Sequence, residues 1–331
     1  MNNNRPNLFD YATHELSQDA VLIWLIRYAD QQFQEDVELH NVAQNFLRML
    51  LSESDVTVKT VECWKQWEDI DITVKINDSI GLIIEDKVGA HLHGDQLRRY
   101  RQSATKWAKD ENLTLHFVYL NTENPNTDDR KNVLEENYSL ITRSDVIKVL
   151  NEYQGENVIL LDYRERLVNF EAETLAFLSA PYTKWSDRAW QGFYDWIHSI
   201  RPNSTWMLLN NMGGSFWSTW WGNHEGWFND EVSLYAQIDQ GRFTFKMYCE
   251  SDTNREWGYK LRDELEHIAE ELGVKEIRRP ARMSFKGCAT MLLVVEPEDY
   301  LGTGKVDFEK VKRRFEVYEE MISKCIAHFS S

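Results

Sequence analysis

Apolar residues alternate strictly from Ile70 to Ile76. Ile70, Ile72, Val74 and Ile76 therefore share one face of an expected strand, and Asp71, Thr73 and Lys75 share the other. The polar triplet Asn77-Asp78-Ser79 reads as a turn, after which a continuous apolar run, 80–84, ends in Glu85-Asp86-Lys87. On this return strand Ile83, Glu85 and Lys87 face one way and Leu82, Ile84 and Asp86 the other. With three residues in the turn, Ile76 pairs with Ile80 and Asp71 falls opposite Glu85, their Cβ atoms roughly 5 Å apart. A two-residue turn would shift that register, so the pairing follows from the turn length.

Helical periodicity surrounds this strand pair. Helices are expected over 17–33 with Ser17 as N-cap, over 37–51, and over 95–109, where Leu97, Tyr100, Ala104 and Trp107 form an apolar stripe. Short strands are expected over 113–120 and 138–141, an exposed polar loop containing Pro125 over 121–130, a helix capped by Ser144 ending near Tyr153, and a further helix over 158–178. Helices flanking these strands predict an α/β domain with a mixed sheet in three layers. Composition changes at Ala180-Pro181, which marks the expected boundary between domains 1–180 and 181–331: nine of the thirteen tryptophans lie beyond it. There, 216–227, with Gly213-Gly214 before it, reads as a turn-rich strand pair. Segments 232–238 and 243–248 read as a hairpin around Gln240-Gly241, and helices over 254–272 and 306–328 complete an α+β unit. Aromatic core is a commoner reason for such tryptophan density than a platform for stacking bases.

A chain of 331 residues that is 42% hydrophobic can bury one or two ordinary cores. No apolar run is long enough to span a membrane, and the first residues lack the apolar stretch of a secretory signal. Cys63, Cys249, Cys288 and Cys325 show no Cys-x-x-Cys spacing, which argues against structural zinc and a disulfide framework and for a reducing cytoplasm. A net charge of −17 disfavours tight, non-specific binding to long duplex DNA. Two local stretches are basic, however. Residues 88–110 carry five basic side chains, among them Arg98, Arg99 and Arg101, against two acidic ones; residues 275–286 carry five, among them Arg278, Arg279 and Arg282, against one. These six arginines are the candidate nucleic-acid contacts. Phosphate-loop, His-Glu-x-x-His and Gly-x-Ser-x-Gly motifs are absent.

Two carboxylates facing each other across a strand pair repel unless a cation lies between them, and a hard divalent ion bound by Asp71 and Glu85 removes the repulsion. An acid-x-Lys pattern alone is common on solvated strand faces. Here it ends a buried apolar run, where charges mark the mouth of a site. Gln96 and Tyr100 then sit one turn apart on the next helix. Asp19 reads as a first-turn acid favoured by the helix dipole, and the loop histidines His91 and His93 as incidental.

Taken together, Asp71, Glu85-x-Lys87 and the Gln96-x-x-x-Tyr100 helix resemble the PD-(D/E)XK nuclease superfamily, with its restriction-endonuclease-like fold, in the branch carrying Gln-x-x-x-Tyr. Ile70 stands where that pattern often has proline, and the likeness covers about the first half of the chain. The resemblance implies a nuclease using Mg²⁺ or Mn²⁺, with Asp71, Glu85, the backbone carbonyl of Asp86 and the first-helix acid Glu15 as ligands. It implies that Lys87 orients or activates water and that Gln96 and Tyr100 position the nucleic-acid backbone. DNA is expected ahead of RNA, in bacterial defence or repair. The alternative is a non-catalytic sensor or protein-binding module on the same fold. The second domain is expected to serve substrate or partner recognition, including a homodimer contact.

Overall fold

The structure, a computed structural model, describes residues 5–52, 55–89, 92, 94–211, 214–222, 232–239, 241–251 and 253–330. In the first unit, α1 (Glu15–Arg27) and α2 (Val37–Leu51) precede three strands, β1 (Val61–Trp67), β2 (Ile70–Ile76) and β3 (Ile80–Lys87). Then come α3 (Gln96–Glu111), β4 (Thr114–Asn121), α4 (Thr127–Glu135), β5 (Ser139–Thr142), α5 (Arg143–Leu150) and α6 (Val158–Leu175). The sheet order is β1-β2-β3-β4-β5; the first three strands are antiparallel and β3, β4 and β5 parallel. Helices α1, α2, α5 and α6 bury one face of the sheet and α3 and α4 the other, which gives the expected three-layer mixed α/β architecture.

The register is the expected one: Ile76 pairs with Ile80 and Ile72 with Ile84. Asn77 and Asp78 both take positive φ, which makes the turn three residues long. Ile72, Val74 and Ile76 bury against the α1/α2 side, as the alternation requires. Ile70 departs from it and packs with Ile83, Tyr100 and Ala104 on the other face, beside left-handed Gln66, Glu68 and Asp69 in the preceding turn.

Several local expectations are corrected. Helix α1 begins two residues early: Ser17 is not its cap, since the Ser17 and Gln18 amides already donate to the His14 carbonyl at 2.9 and 3.4 Å. It also ends at Arg27, and Asp30 turns the chain by accepting the amides of Gln32 and Val61. Residues 121–130 are not an exposed loop. Asn121, Thr122, Asn124 and Asn126 are buried, because Arg143 donates to the Thr122 carbonyl (2.9 Å) and Asn124 Oδ1 (3.1 Å), and Asn126 caps α4 through the Asp129 amide (2.8 Å). Thr142 caps α5, in a capping box with Asp145, while Ser144 Oγ donates to Glu171.

The second unit contains α7 (Asp187–Ile200), β6 (Thr205–Asn211), β7 (Gly214–Gly222), β8 (Val232–Asp239), β9 (Arg242–Cys249), α8 (Asn254–Leu272), β10 (Ala289–Val295), α9 (Pro297–Leu301) and α10 (Phe308–Ser330). Its antiparallel sheet has the order β10-β9-β8-β7-β6. Of the expected strand pair over 216–227, the part up to Gly222 belongs to β7, paired with β6, and residues 223–227, Trp227 among them, lie outside the described residues. The units divide at Ala172/Glu173, ahead of Ala180-Pro181, because Ala176, Phe177 and Ala180 already pack into the second core. Trp185, Trp206 and Trp221 are buried in that core and Trp190, Trp196, Trp217 and Trp257 pack against it, so most of the tryptophan density is structural. Among the described residues no helix is long and apolar enough to cross a membrane.

Candidate active site

The central strand of the first sheet, β3, is buried along most of its length. Its C-terminal end therefore carries three charged side chains into the interior: Glu85 at 0% exposure, Asp86 at 0% and Lys87 at 5%. By alternation Glu85 and Lys87 lie on the α3 side and Asp86 on the α1 side. Continuing the Ile72↔Ile84 register places Asp71 opposite Glu85, and Asp71 Oδ2 accepts the Asp86 backbone amide at 3.0 Å.

Glu85 is the unusual group. Lys87 Nζ lies 2.5 Å from its Oε1, while Oε2 is buried with no hydrogen-bond partner among the described residues. Burial first, and then the nearby Asp71 carboxylate, push its pKa up to about 8. Burial pulls Lys87 down, but Glu85, Glu15 and Asp71 outweigh it and hold the ammonium above the usual lysine value. Gln96 Nε2 donates to the Tyr100 hydroxyl at 2.9 Å. Both residues border this cluster, and burial, countered in part by that hydrogen bond, raises the Tyr100 pKa.

Helix α1 closes the site from the other face. Glu15 Oε1 accepts the Val88 amide at 3.2 Å, which ties the helix start to the end of β3. Gln18 Nε2 donates to Asp86 Oδ1 at 2.6 Å and its Oε1 accepts from Thr122 Oγ1 at 2.8 Å. Asp19, expected as a plain first-turn acid, is buried at 1% exposure with Oδ1 unbonded among the described residues, and Lys65 Nζ stands 3.8 Å from its Oδ2. Burial, then Asp71, raise its pKa to about 6. Burial likewise holds Asp86 well above the usual carboxylate range. Sequence reasoning missed Gln18, Asp19 and Lys65 as parts of the site. Only the hydrophilic spacing of Gln18-Asp19 against an apolar helix face hinted at it, and Lys65 sits on β1, a strand the alternation did not reveal.

Five carboxylates against two lysines, with a buried carboxylate oxygen left unbonded, fit a divalent cation. Among the described residues no three His, Cys, Asp or Glu side chains are grouped to form a complete cage. His91 and His93 lie outside the described residues.

The candidate nucleic-acid arginines are placed less uniformly. Arg98 and Arg99, exposed on α3, pair with Asp95 at 3.1 and 3.2 Å. Arg101 is a packing residue: it donates to the Glu136 and Asn137 carbonyls and lies 4.0 Å over the Phe117 ring. In the second unit Arg278 pairs with Asp299 at 2.5 Å and Arg279 takes Glu266 in a two-bond fork at 2.6 Å, while Arg282 is exposed. The expected basic stripe there is thus largely neutralised by its own acids.

A family model described as the PD-(D/E)XK nuclease superfamily matches residues 1–188. No curated protein and no solved structure matches the chain.

Proposed function

This chain belongs to the PD-(D/E)XK nuclease superfamily, and on that premise we propose that its first unit is a divalent-metal-dependent phosphodiesterase acting on nucleic acid, DNA ahead of RNA. The observation that carries this reading is Glu85: a fully buried carboxylate facing Asp71, with one oxygen unbonded and Lys87 Nζ 2.5 Å from the other. A buried, under-bonded charge is disfavoured by several kcal/mol unless a cation compensates it.

Asp71, Glu85 and the Asp86 backbone carbonyl would hold Mg²⁺ or Mn²⁺, which would supply Lewis-acid activation of water and neutralise charge at the scissile phosphate, while Glu15 holds the Val88 amide at the end of β3. Lys87, kept cationic by the surrounding acids, orients the attacking water and offsets the negative charge that builds on the phosphate oxygens. Gln96 and Tyr100, bonded to each other, position the sugar-phosphate backbone. Gln18 holds the Asp86 side chain to Thr122 and so fixes the end of β3 beneath the reacting groups. Arg98 and Arg99 serve as phosphate contacts, since exposed ion pairs with Asp95 exchange at little free-energy difference. The four free thiols suit a reducing cytoplasm, and we read the activity as one of bacterial defence or repair.

The experiment offers plasmid, single-stranded DNA and RNA to the purified protein, each with Mg²⁺, with Mn²⁺ and with chelator. Cleavage is expected with either metal and none with chelator or in Glu85→Gln. No cleavage of any substrate by the unaltered protein would favour the non-catalytic alternative.

A further inference from the structure

The two faces of the second sheet differ in kind. One is filled by Trp206, Trp221, Leu234, Ile238, Phe243 and Phe245, all members of the core. On the other, Phe216, Trp220, Tyr235 and Tyr248 come together through the registers Trp220↔Gln237, Tyr235↔Lys246 and Ser233↔Tyr248, and none of these four rings belongs to that core. With Gln237 and Lys246 they line a cavity of about 440 Å³, within the roughly 300–1,000 Å³ of small-ligand sites.

Two of the lining side chains, Gln237 and Lys246, are held by a network of buried polar groups. Ser218 and Thr244 are fully buried and Gln237 nearly so. Gln237 Nε2 donates to Ser218 Oγ at 2.9 Å and Asp239 Oδ1 at 2.6 Å, and Lys246 Nζ stands 2.5 Å from Asp239 Oδ2. An antiparallel sheet normally presents its second face to water with scattered polar side chains. Here that face instead holds aromatic rings over an ordered amide and one cation.

We propose that this cavity receives an unpaired base of the nucleic-acid substrate, stacked on Trp220 and its neighbouring rings, with the Gln237 carbonyl at the base edge and Lys246 toward the adjoining phosphate. The choice of ligand rests on the nucleolytic reading of the first unit. Aromatic faces accept the π-face of any base. The donors of Gln237 are spent on Ser218 and Asp239, so it offers an acceptor to an exocyclic amine. On a body of net charge −17, stacking on aromatic rings adds affinity that does not depend on a basic track.

The test uses the full chain in chelator. It measures the affinity of a labelled single strand and of the matching duplex in unaltered protein, Trp220→Phe and Trp220→Ala, and maps photo-crosslinks from a 5-iodouracil single strand. Single strand is expected to bind at least tenfold tighter than duplex. Trp220→Ala should lose at least tenfold, Trp220→Phe should retain most of the affinity, and crosslinks should fall in β7 to β9. Should Trp220→Ala fail to fold, the crosslinks on unaltered protein decide. Unchanged affinity in folded Trp220→Ala, or crosslinks confined to the first unit, overturns the proposal, as does a Trp220-dependent self-association that excludes the strand. Cleavage assays with Mn²⁺ separate the two readings. Cleavage without second-unit crosslinks removes the base pocket and leaves the nuclease standing. Trp220-dependent binding without cleavage keeps the pocket and removes the nuclease.

Discussion

Glu85 on β3 and Gln237 on β8 are both buried polar side chains on the central strand of a five-stranded sheet, yet their surroundings are opposite. Glu85 faces another carboxylate and keeps one oxygen unbonded, whereas Gln237 donates both amide hydrogens and its acceptor Asp239 is matched by Lys246. Lys87 meets one oxygen of Glu85 and leaves the other unbonded; burying an incompletely bonded carboxylate raises the free energy of the fold, and such a group persists where binding compensates it. A closed polar network does the reverse: it stiffens the strand face and holds the shape around it. Protein atoms alone thus complete one arrangement, and the other favours a cation.

The comparison breaks most visibly in catalysis. Glu85→Gln or Lys87→Met should lower the cleavage rate at least about a thousandfold, some 4 kcal/mol of transition-state stabilisation. A folded Glu85→Gln protein of full activity would sink the assignment.

The pH dependence of stability is the next largest effect. The folded pKa of Glu85, about 8, lies above its ordinary value of 4.5, so the fold favours the protonated acid. Its contribution is fully present below about pH 4.5 and is lost as pH rises through 8. Asp19, raised to about 6, adds to the slope at its lower end. Calorimetry in chelator should therefore show the first unit losing roughly 3 kcal/mol between pH 5 and 8, and Glu85→Gln should flatten most of that slope.

Metal should act on one unit alone. Mn²⁺ at a hundredfold excess over its dissociation constant is expected to add about 2.7 kcal/mol to the first transition and nothing to the second. A shift that survives Asp71→Asn would place the ion elsewhere. The reciprocal test is Asp239→Ala, which strands Lys246 and one of the two Gln237 donors. It should lower the stability of the second unit by about 2 kcal/mol, read as its own calorimetric transition. The smallest effects belong to the exposed arginines. Arg98→Ala or Arg99→Ala should change stability by no more than about 0.5 kcal/mol, yet reduce the salt slope of nucleic-acid binding by about one each.

Legibility followed local pattern. Helix α2 at Val37–Leu51, the β2-β3 turn and α8 at Asn254–Leu272 stand where periodicity put them, because each carries a full amphipathic stripe or a specific turn triplet. Strands β1, β6 and β10 were not foreseen. Glu62, Trp64, Lys65 and Gln66 on β1 are all exposed, on both faces of the strand, so alternation is weak at that sheet edge. The polar run 121–126 misled for a related reason: its asparagines and threonine are buried by Arg143, which arrives from a later helix.

By itself the sequence determined that a three-residue turn would bring Asp71 opposite Glu85, and the observed Ile76↔Ile80 pairing supplies that turn. It also determined that Lys87 would share Glu85's face. Only the tertiary structure decided that Asp19 and Gln18 belong to the same site, because that depends on where α1 lands against the end of β3. It likewise decided which tryptophans are core and which, like Trp220, line a cavity. Both outcomes turn on packing between segments distant in the chain, where side chains are sorted by the space left between elements and not by their spacing along any one of them.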